Sequence, residues 1–245
     1  MIAWMFPRML ALVLLVCTSC ATEPPPHATG SAAREYFPLL PGAHWVYELR
    51  TGFFTHTRLE VTARGERAVR DSDEGIFVME EQLSDRVYGL EPSGLVGYQV
   101  AGGYVTRIAA VEPLPDGRVH VFGGDGTSFL PVDPHPGQTW TDHSEVFRHS
   151  DMAGLNWTAE VSNVGRLHVP AGSFDDVIVV RSAQWDPEWN ETEPLNTYED
   201  YYARGVGLIR SVSTNHAQRF WSPSSVEQVL LSVSFVDAAP TAVEE

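Results

Sequence analysis

Period two runs through this chain and constrains its fold more than any other feature. From His56 to Arg64 the residues alternate without a break. Thr57, Leu59, Val61 and Ala63 fall on one face, and Arg58, Glu60, Thr62 and Arg64 on the other. Successive side chains of a strand point to opposite faces, so such a run is a strand with one wet face. Trp157, Ala159 and Val161 alternate in the same way with Thr158, Glu160 and Ser162. Val229, Leu231, Val233 and Phe235 oppose Gln228, Ser232 and Ser234, with Leu230 breaking the pattern. Ile178–Val180 is apolar on both faces and reads as a central strand. Turn signals separate these runs: Asp116-Gly117, Gly123-Gly124-Asp125-Gly126 and Pro170-Ala171-Gly172-Ser173. Beyond the N-terminal segment no stretch carries the pattern of a helix of three turns. The expected fold is mainly β, a curved antiparallel sheet in the form of a half-barrel or open barrel, with little helix.

An internal echo suggests two related β units, 36–110 and 131–215. Pro41-Gly42-Ala43-His44-Trp45 returns as Pro136-Gly137-Gln138-Thr139-Trp140. Leu59–Gly65 aligns with Ala159–Gly165, and Tyr88 with Gly94-Leu95-Val96 resembles Tyr201 or Tyr202 with Gly207-Leu208-Ile209. Two such units are expected to share one core rather than stand apart.

The N-terminus has the build of a secretion signal: Arg8, an apolar run from Met9 to Val16, then small residues. That run is too short for a bilayer, which needs about 20 apolar residues. Val16-Cys17-Thr18-Ser19-Cys20 resembles a bacterial lipobox, with Cys17 where the motif usually has Leu. The resemblance implies cleavage before Cys20 and acylation of that cysteine, palmitate included, so that the chain is tethered to a membrane. Residues 1–19 are then a signal peptide and 20–35 a Pro-, Ser- and Thr-containing tether without large apolar residues. A single β domain is expected over 36–237, followed by a disordered tail, 238–245. Ala21 stands where some bacteria read Asp as an inner-membrane signal, which leans toward the outer membrane of a bacterial envelope. Removal of Cys17 with the signal leaves one cysteine, so no disulfide forms within the chain and the fold rests on its core.

The net charge is -16, and all 16 basic residues are Arg. The absence of Lys excludes Schiff-base chemistry and any lysine base. The acidity argues against nucleic acid and against lying on anionic lipid headgroups.

Three segments together resemble a family of bacterial envelope lipoproteins: Tyr36–Tyr47, Val169–Val177 and Tyr201–Ile209. Members are similar to the half-barrel lipoprotein carriers, whose curved sheets hold hydrophobic ligands; this chain lacks the obvious helical lid of those carriers. Read from residues alone, the same motifs are folding devices. Pro41-Gly42 turns the chain into a first strand led by Trp45, and Gly172 supplies a positive φ to a hairpin. Gly205 and Gly207 mark a bulge or bend.

No catalytic constellation emerges. There is no Gly-x-Ser-x-Gly, and the retained cysteine is acylated. His143 and His149, six apart, fit neither the strand nor the helix spacing of zinc ligands. Asp71-Ser72-Asp73-Glu74-Gly75 begins like a calcium loop but lacks its closing Glu. Gly123–Gly126 lacks the Lys of a phosphate loop. No cofactor or metal is expected. The best binding candidate is Gln184–Asp200, where Trp185, Trp189 and Tyr198 stand among acids and could stack on a sugar or receive a cation. The expected function is a non-catalytic lipoprotein whose curved sheet binds a hydrophobic or amphiphilic ligand, a glycan or a protein partner. The rivals are a structural or assembly factor with no small ligand, and a hydrolase of cell-wall or surface polymer.

Overall fold

The structure, a computed structural model, describes residues 35–51, 55–70, 75–84, 93–122, 126–148, 151–186, 192–216 and 225–235. Among them thirteen strands build one antiparallel sheet. The first half contributes β1 (His44–Thr51), β2 (Thr55–Ala68), β3 (Gly75–Leu83), β4 (Ser93–Ala101), β5 (Tyr104–Pro113), β6 (Val119–Phe122) and β7 (Thr127–Pro131). The second contributes β8 (Thr139–Arg148), β9 (Asp151–Val169), β10 (Gly172–Trp185), β11 (Asn196–Ala203), β12 (Gly207–Asn215) and β13 (Ser225–Ser234). The order is β6-β5-β4-β3-β2-β1-β13-β12-β11-β10-β9-β8, with β7 also on β5. Each half is a meander of neighbours in sequence, and the β1–β13 ladder joins them. Among the described residues no ladder closes the curved sheet.

Its two edges nevertheless meet. The Trp140 indole on β8 donates to the Ser128 carbonyl on β7 at 3.0 Å. The Ser128 N–H donates to Asp142 Oδ2 at 2.7 Å. Side chains of β8 thus satisfy the backbone groups of β7 that a neighbouring strand would otherwise bond, which blunts both edges.

The alternation read in β2 is the alternation of the fold. Thr57, Leu59, Val61 and Ala63 are buried on the concave face, while His56, Arg58 and Arg64 are exposed. Ile178, Val179 and Val180 are all buried in β10, between β9 and β11. In β13 the phase differs from the expected one. A register shift opposite Val46/Tyr47 leaves Leu231 without a partner, so Leu230 pairs with Tyr47 and is fully buried. The residue that broke the sequence pattern is therefore a core residue beside the buried Val229, and Val226 and Gln228 line the cavity. One extra residue in a strand re-phases everything beyond it.

The two Pro-Gly-led segments enter their strands through matching hydrogen bonds. Gly42 N–H donates to Ala63 O at 2.9 Å, and Gly137 N–H to Val161 O at 2.8 Å. Trp45 pairs with Val61 and Trp140 with Ala159. Gly65 and Gly165, at φ 84 and 80, both sit at register shifts. Opposite Gly165, the shifted stretch of β10 holds Asp176 at φ 53. Gly172 has a positive φ, as the hairpin reading requires. Gly205 lies in the turn 204–206 and Gly207 opens β12 opposite Ala203, so the pair sits at the bend between β11 and β12, with the register shift at Tyr201/Tyr202 just beyond.

The convex face is covered in two ways. Over β3–β6 a second apolar cluster forms from Ile76, Val78, Ile108, Val111 and Val119. Gly97 makes room for it, since a Cβ there would lie 2.7 Å from Ile76 Cδ1. Over β10–β2 the convex face is instead wet and threaded with ion pairs. Arg181–Glu199 (3.1 Å), Arg210–Glu227 (2.8 Å), Arg50–Glu48 (2.6 Å) and Arg58–Glu60 (2.9 Å) cross it. Exposed pairs of this kind contribute about 0–1 kcal/mol each. Stability therefore rests mainly on the apolar concave face.

Candidate binding cavity

One end of the curved sheet is stoppered by the segment that precedes β1. Phe37 packs its ring on Tyr98 (4.9 Å between centroids) and Phe129 (5.2 Å). Trp45 donates its indole N–H to Val206 O at 2.8 Å, and Tyr47 its hydroxyl to Leu208 O at 3.0 Å. Gly205 N–H donates to Glu35 O at 2.5 Å, and Arg204 pairs with Glu35 at 2.9 Å. Pro38 lies so close to Gly207 that a Cβ there would stand 3.3 Å from its Cδ. The Tyr36–Tyr47 and Tyr201–Ile209 segments of the sequence are thus two halves of one stopper.

Beyond the stopper the concave face is not filled. It holds a half-open cavity of about 910 Å³, within the range of about 300–1,000 Å³ usual for small-molecule sites. Its walls are mostly apolar, with Leu49, Leu59, Met79, Leu83, Val96 and Val226 among them. Aromatic rings form the rest of the wall: Trp157 stacks on Tyr198 at 5.5 Å and 28°, and Phe129 leans on Tyr202 at 6.4 Å.

Three charged side chains line this apolar space: Glu81 on β3, Arg107 on β5 and Asp200 on β11. Each occupies an inward position in an otherwise apolar or aromatic series. Glu81 follows Phe77 and Met79, Arg107 follows Val105, and Asp200 stands between Tyr198 and Tyr202. Arg107 pairs with Glu81 at 3.6 Å, and its side chain is 47% exposed, toward the cavity it lines. Burial works against the Arg107 charge, but Tyr98 and Glu81 outweigh it and raise its pKa. Burial pushes the Tyr98 hydroxyl up to about 12, with Arg107 opposing. Asp200 accepts from Ser211 Oγ at 2.5 Å. Burial dominates there and raises its pKa to about 6, although Ser211 and Arg107 pull it down. Burial likewise raises Tyr198, Tyr47 and Tyr202, so all three hydroxyls stay protonated at neutral pH.

Of the residues singled out from sequence, Tyr198 lies in the cavity wall. Trp185 does not: Ser182 and Gln184 take the inward positions of β10, and the Trp185 indole donates to Thr158 Oγ1 at 3.5 Å on the other face. Trp189, Cys20, His149, Asp71–Glu74 and Gly123–Asp125 lie outside the described residues. The His143 Nδ1–H donates to Asn156 Oδ1 at 3.0 Å. Among the described residues no three His, Cys, Asp or Glu side chains are grouped to hold a metal ion. Sequence reasoning passed over Glu81, Arg107 and Ser211, and noted Asp200 only as one acid among several. The signal that finds them is a charge on the apolar side of an alternating strand.

No protein-family model matches the chain, and no curated protein matches it. Two solved structures are similar to it. A predicted lipoprotein of Parabacteroides distasonis superposes with a TM-score of 0.50 at 11% identity, covering 82% of this chain and 98% of its own. A predicted exported protein of Bacteroides fragilis, described as having a YmcC-like fold, superposes with a TM-score of 0.46 at 14% identity, covering 82% and 99%. The first likeness shows a shared fold: a broad antiparallel sheet of this build is not peculiar to this chain.

Proposed function

We propose that this chain is a non-catalytic lipoprotein of the bacterial cell envelope whose curved sheet binds a hydrophobic or amphiphilic ligand. The observation that carries the reading is the cavity of about 910 Å³ left open inside an apolar concave face. A half-open concavity of this size leaves apolar wall in contact with water unless a ligand covers it, and covering it is favourable. Its polar groups are few and stand at defined positions, which suits orientation of a ligand rather than bond-making. Asp200, Glu81 and Arg107 come with no serine–histidine pair and no thiol among the lining residues. The lipobox-like sequence ending in Cys20 supports an acyl-anchored envelope protein. The fold shared with a protein described as a predicted lipoprotein points the same way. Anchorage in the outer membrane is part of the proposal and rests on Ala21 alone.

The test is to secrete the full chain carrying Cys20→Ser, purify it without detergent, and extract it with organic solvent for mass spectrometry. A stoichiometric amphiphile supports a carrier or sensor. A clean extract, together with failure to take up added amphiphiles, sinks it and favours an assembly role for the sheet.

A further inference from the structure

The charges inside the cavity do not balance. Arg107 is engaged by Glu81 at 3.6 Å and neighbours Tyr98, its cross-strand partner on β4. Asp200, on β11, is held by a hydroxyl, Ser211 Oγ, and among the described residues no arginine or histidine forms an ion pair with it. The groups that face Asp200 from the packed elements are Ser211 on β12, Tyr198 and Tyr202 on its own strand, Tyr98 on β4 and Arg107 on β5. Glu81 and Asp200 against Arg107 leave the cavity with one net negative charge. A carboxylate only partly compensated in an apolar setting is costly, and it favours a further counter-charge. Tyrosine and tryptophan rings stand in the same wall, and aromatic rings favour cations over anions at their faces. A ligand anion would have to displace Glu81 from Arg107 and approach Asp200 uncompensated.

Resting on the reading of the cavity as a ligand site, we propose that it takes an amphiphile with a positively charged amine head. In this arrangement Asp200 is the counter-ion, and the tail lies against Leu49, Leu59 and Leu83. The raised pKa of Asp200 adds a consequence. Below about pH 6 the free carboxyl is protonated, so amine binding must expel a proton and weakens. Above that pH affinity levels off, as long as the amine itself stays charged.

The experiment compares three probes of one tail length, each below its micelle concentration: dodecylamine, dodecanol and dodecanoate. Binding to the full chain carrying Cys20→Ser is read at pH 8 and pH 5 from the fluorescence of the cavity tryptophans. Dodecylamine is expected to bind at least about tenfold more tightly than dodecanol at pH 8, a gap of about 1.4 kcal/mol. The preference should shrink at pH 5, and Asp200→Asn should abolish it by bringing dodecylamine binding down to the level of dodecanol. Equal binding of amine and alcohol overturns the proposal. So does a preference for dodecanoate, which would make Arg107 the anchor, or an amine preference that survives Asp200→Asn. If none of the three probes binds, the ligand-site reading falls first, which separates the two failures. A lysophospholipid with an ethanolamine head forms a last arm. If it matches dodecylamine, the amine belongs to a lipid headgroup; if it binds more weakly, the natural ligand is a free hydrophobic amine.

Discussion

Asp200 on β11 and Ser211 on β12 are cross-strand partners facing the cavity, with Ser211 Oγ donating to Asp200 Oδ1 at 2.5 Å. One hydroxyl does not offset the burial of a carboxylate. The folded state therefore holds the Asp200 proton up to about pH 6, against a usual 3.8. Between those values the unfolded chain has lost the proton and the folded chain has kept it. Stability from this group consequently falls as pH rises from about 4 to about 6, then stays low.

Asp200→Asn keeps the shape and an acceptor for Ser211 but removes the charge. It should raise unfolding stability at pH 7.5 by about 1–3 kcal/mol. The gain should vanish near pH 3.5. Urea unfolding of both forms across this range measures the difference, and a variant less stable at neutral pH would contradict the burial argument.

The stopper gives a second prediction. Gly207 has φ 98, and a Cβ there would lie 3.3 Å from Pro38 Cδ and 3.8 Å from the Trp45 indole nitrogen. Gly207→Ala adds backbone strain and crowding and should cost about 1–3 kcal/mol. Gly137 also has a positive φ, but nothing stands near its Cβ position. Gly137→Ala should therefore cost less, and denaturant midpoints of the pair test the ranking.

The edge contact between β7 and β8 gives a third. The Ser128 N–H is held by Asp142 at 2.7 Å and the Ser128 carbonyl by Trp140 at 3.0 Å. Asp142→Ala should leave the Ser128 amide unpartnered, cost about 1–3 kcal/mol, and speed its hydrogen exchange. Unchanged exchange at Ser128 would show that the edges are held together by other means.

Cys20 gives a fourth. Cys20→Ser should move the protein from the membrane to the soluble fraction, as measured by fractionation of envelopes. Continued membrane association would remove acylation at Cys20 from the account.

How far the fold was legible follows from what period two encodes. The faces of β2 and β9 could be read because each is polar on one side and apolar on the other. The centrality of Ile178–Val180 could be read because both its sides are apolar. The phase of β13 could not, because the unpaired Leu231 is as apolar as its neighbours and leaves no mark in sequence. The meeting of β7 with β8 was equally silent, since it depends on one indole and one carboxylate reaching a single residue, Ser128. For the site, the aromatic and acidic run before Asp200 drew attention to β11, which lines the cavity. The emphasis fell on Trp185, whose parity puts it on the opposite face from Gln184, and not on Asp200, whose parity with Tyr198 and Tyr202 puts it inside. Glu81 and Arg107 come from strands distant in sequence, and only the closing of the sheet brings them to one cavity.

The central claim, that the concave face is a binding cavity and not a filled core, is tested most directly by filling it. Ser213 lines the cavity beside Tyr198 and is only half-buried, so Ser213→Trp should occupy the space without disturbing the core. Titration of the Cys20→Ser chain with the hydrophobic dye N-phenyl-1-naphthylamine should give one saturable site. Adding Ser213→Trp should abolish that site while the melting temperature stays the same. No saturable binding in the parent, or equal binding in both forms, would contradict the account.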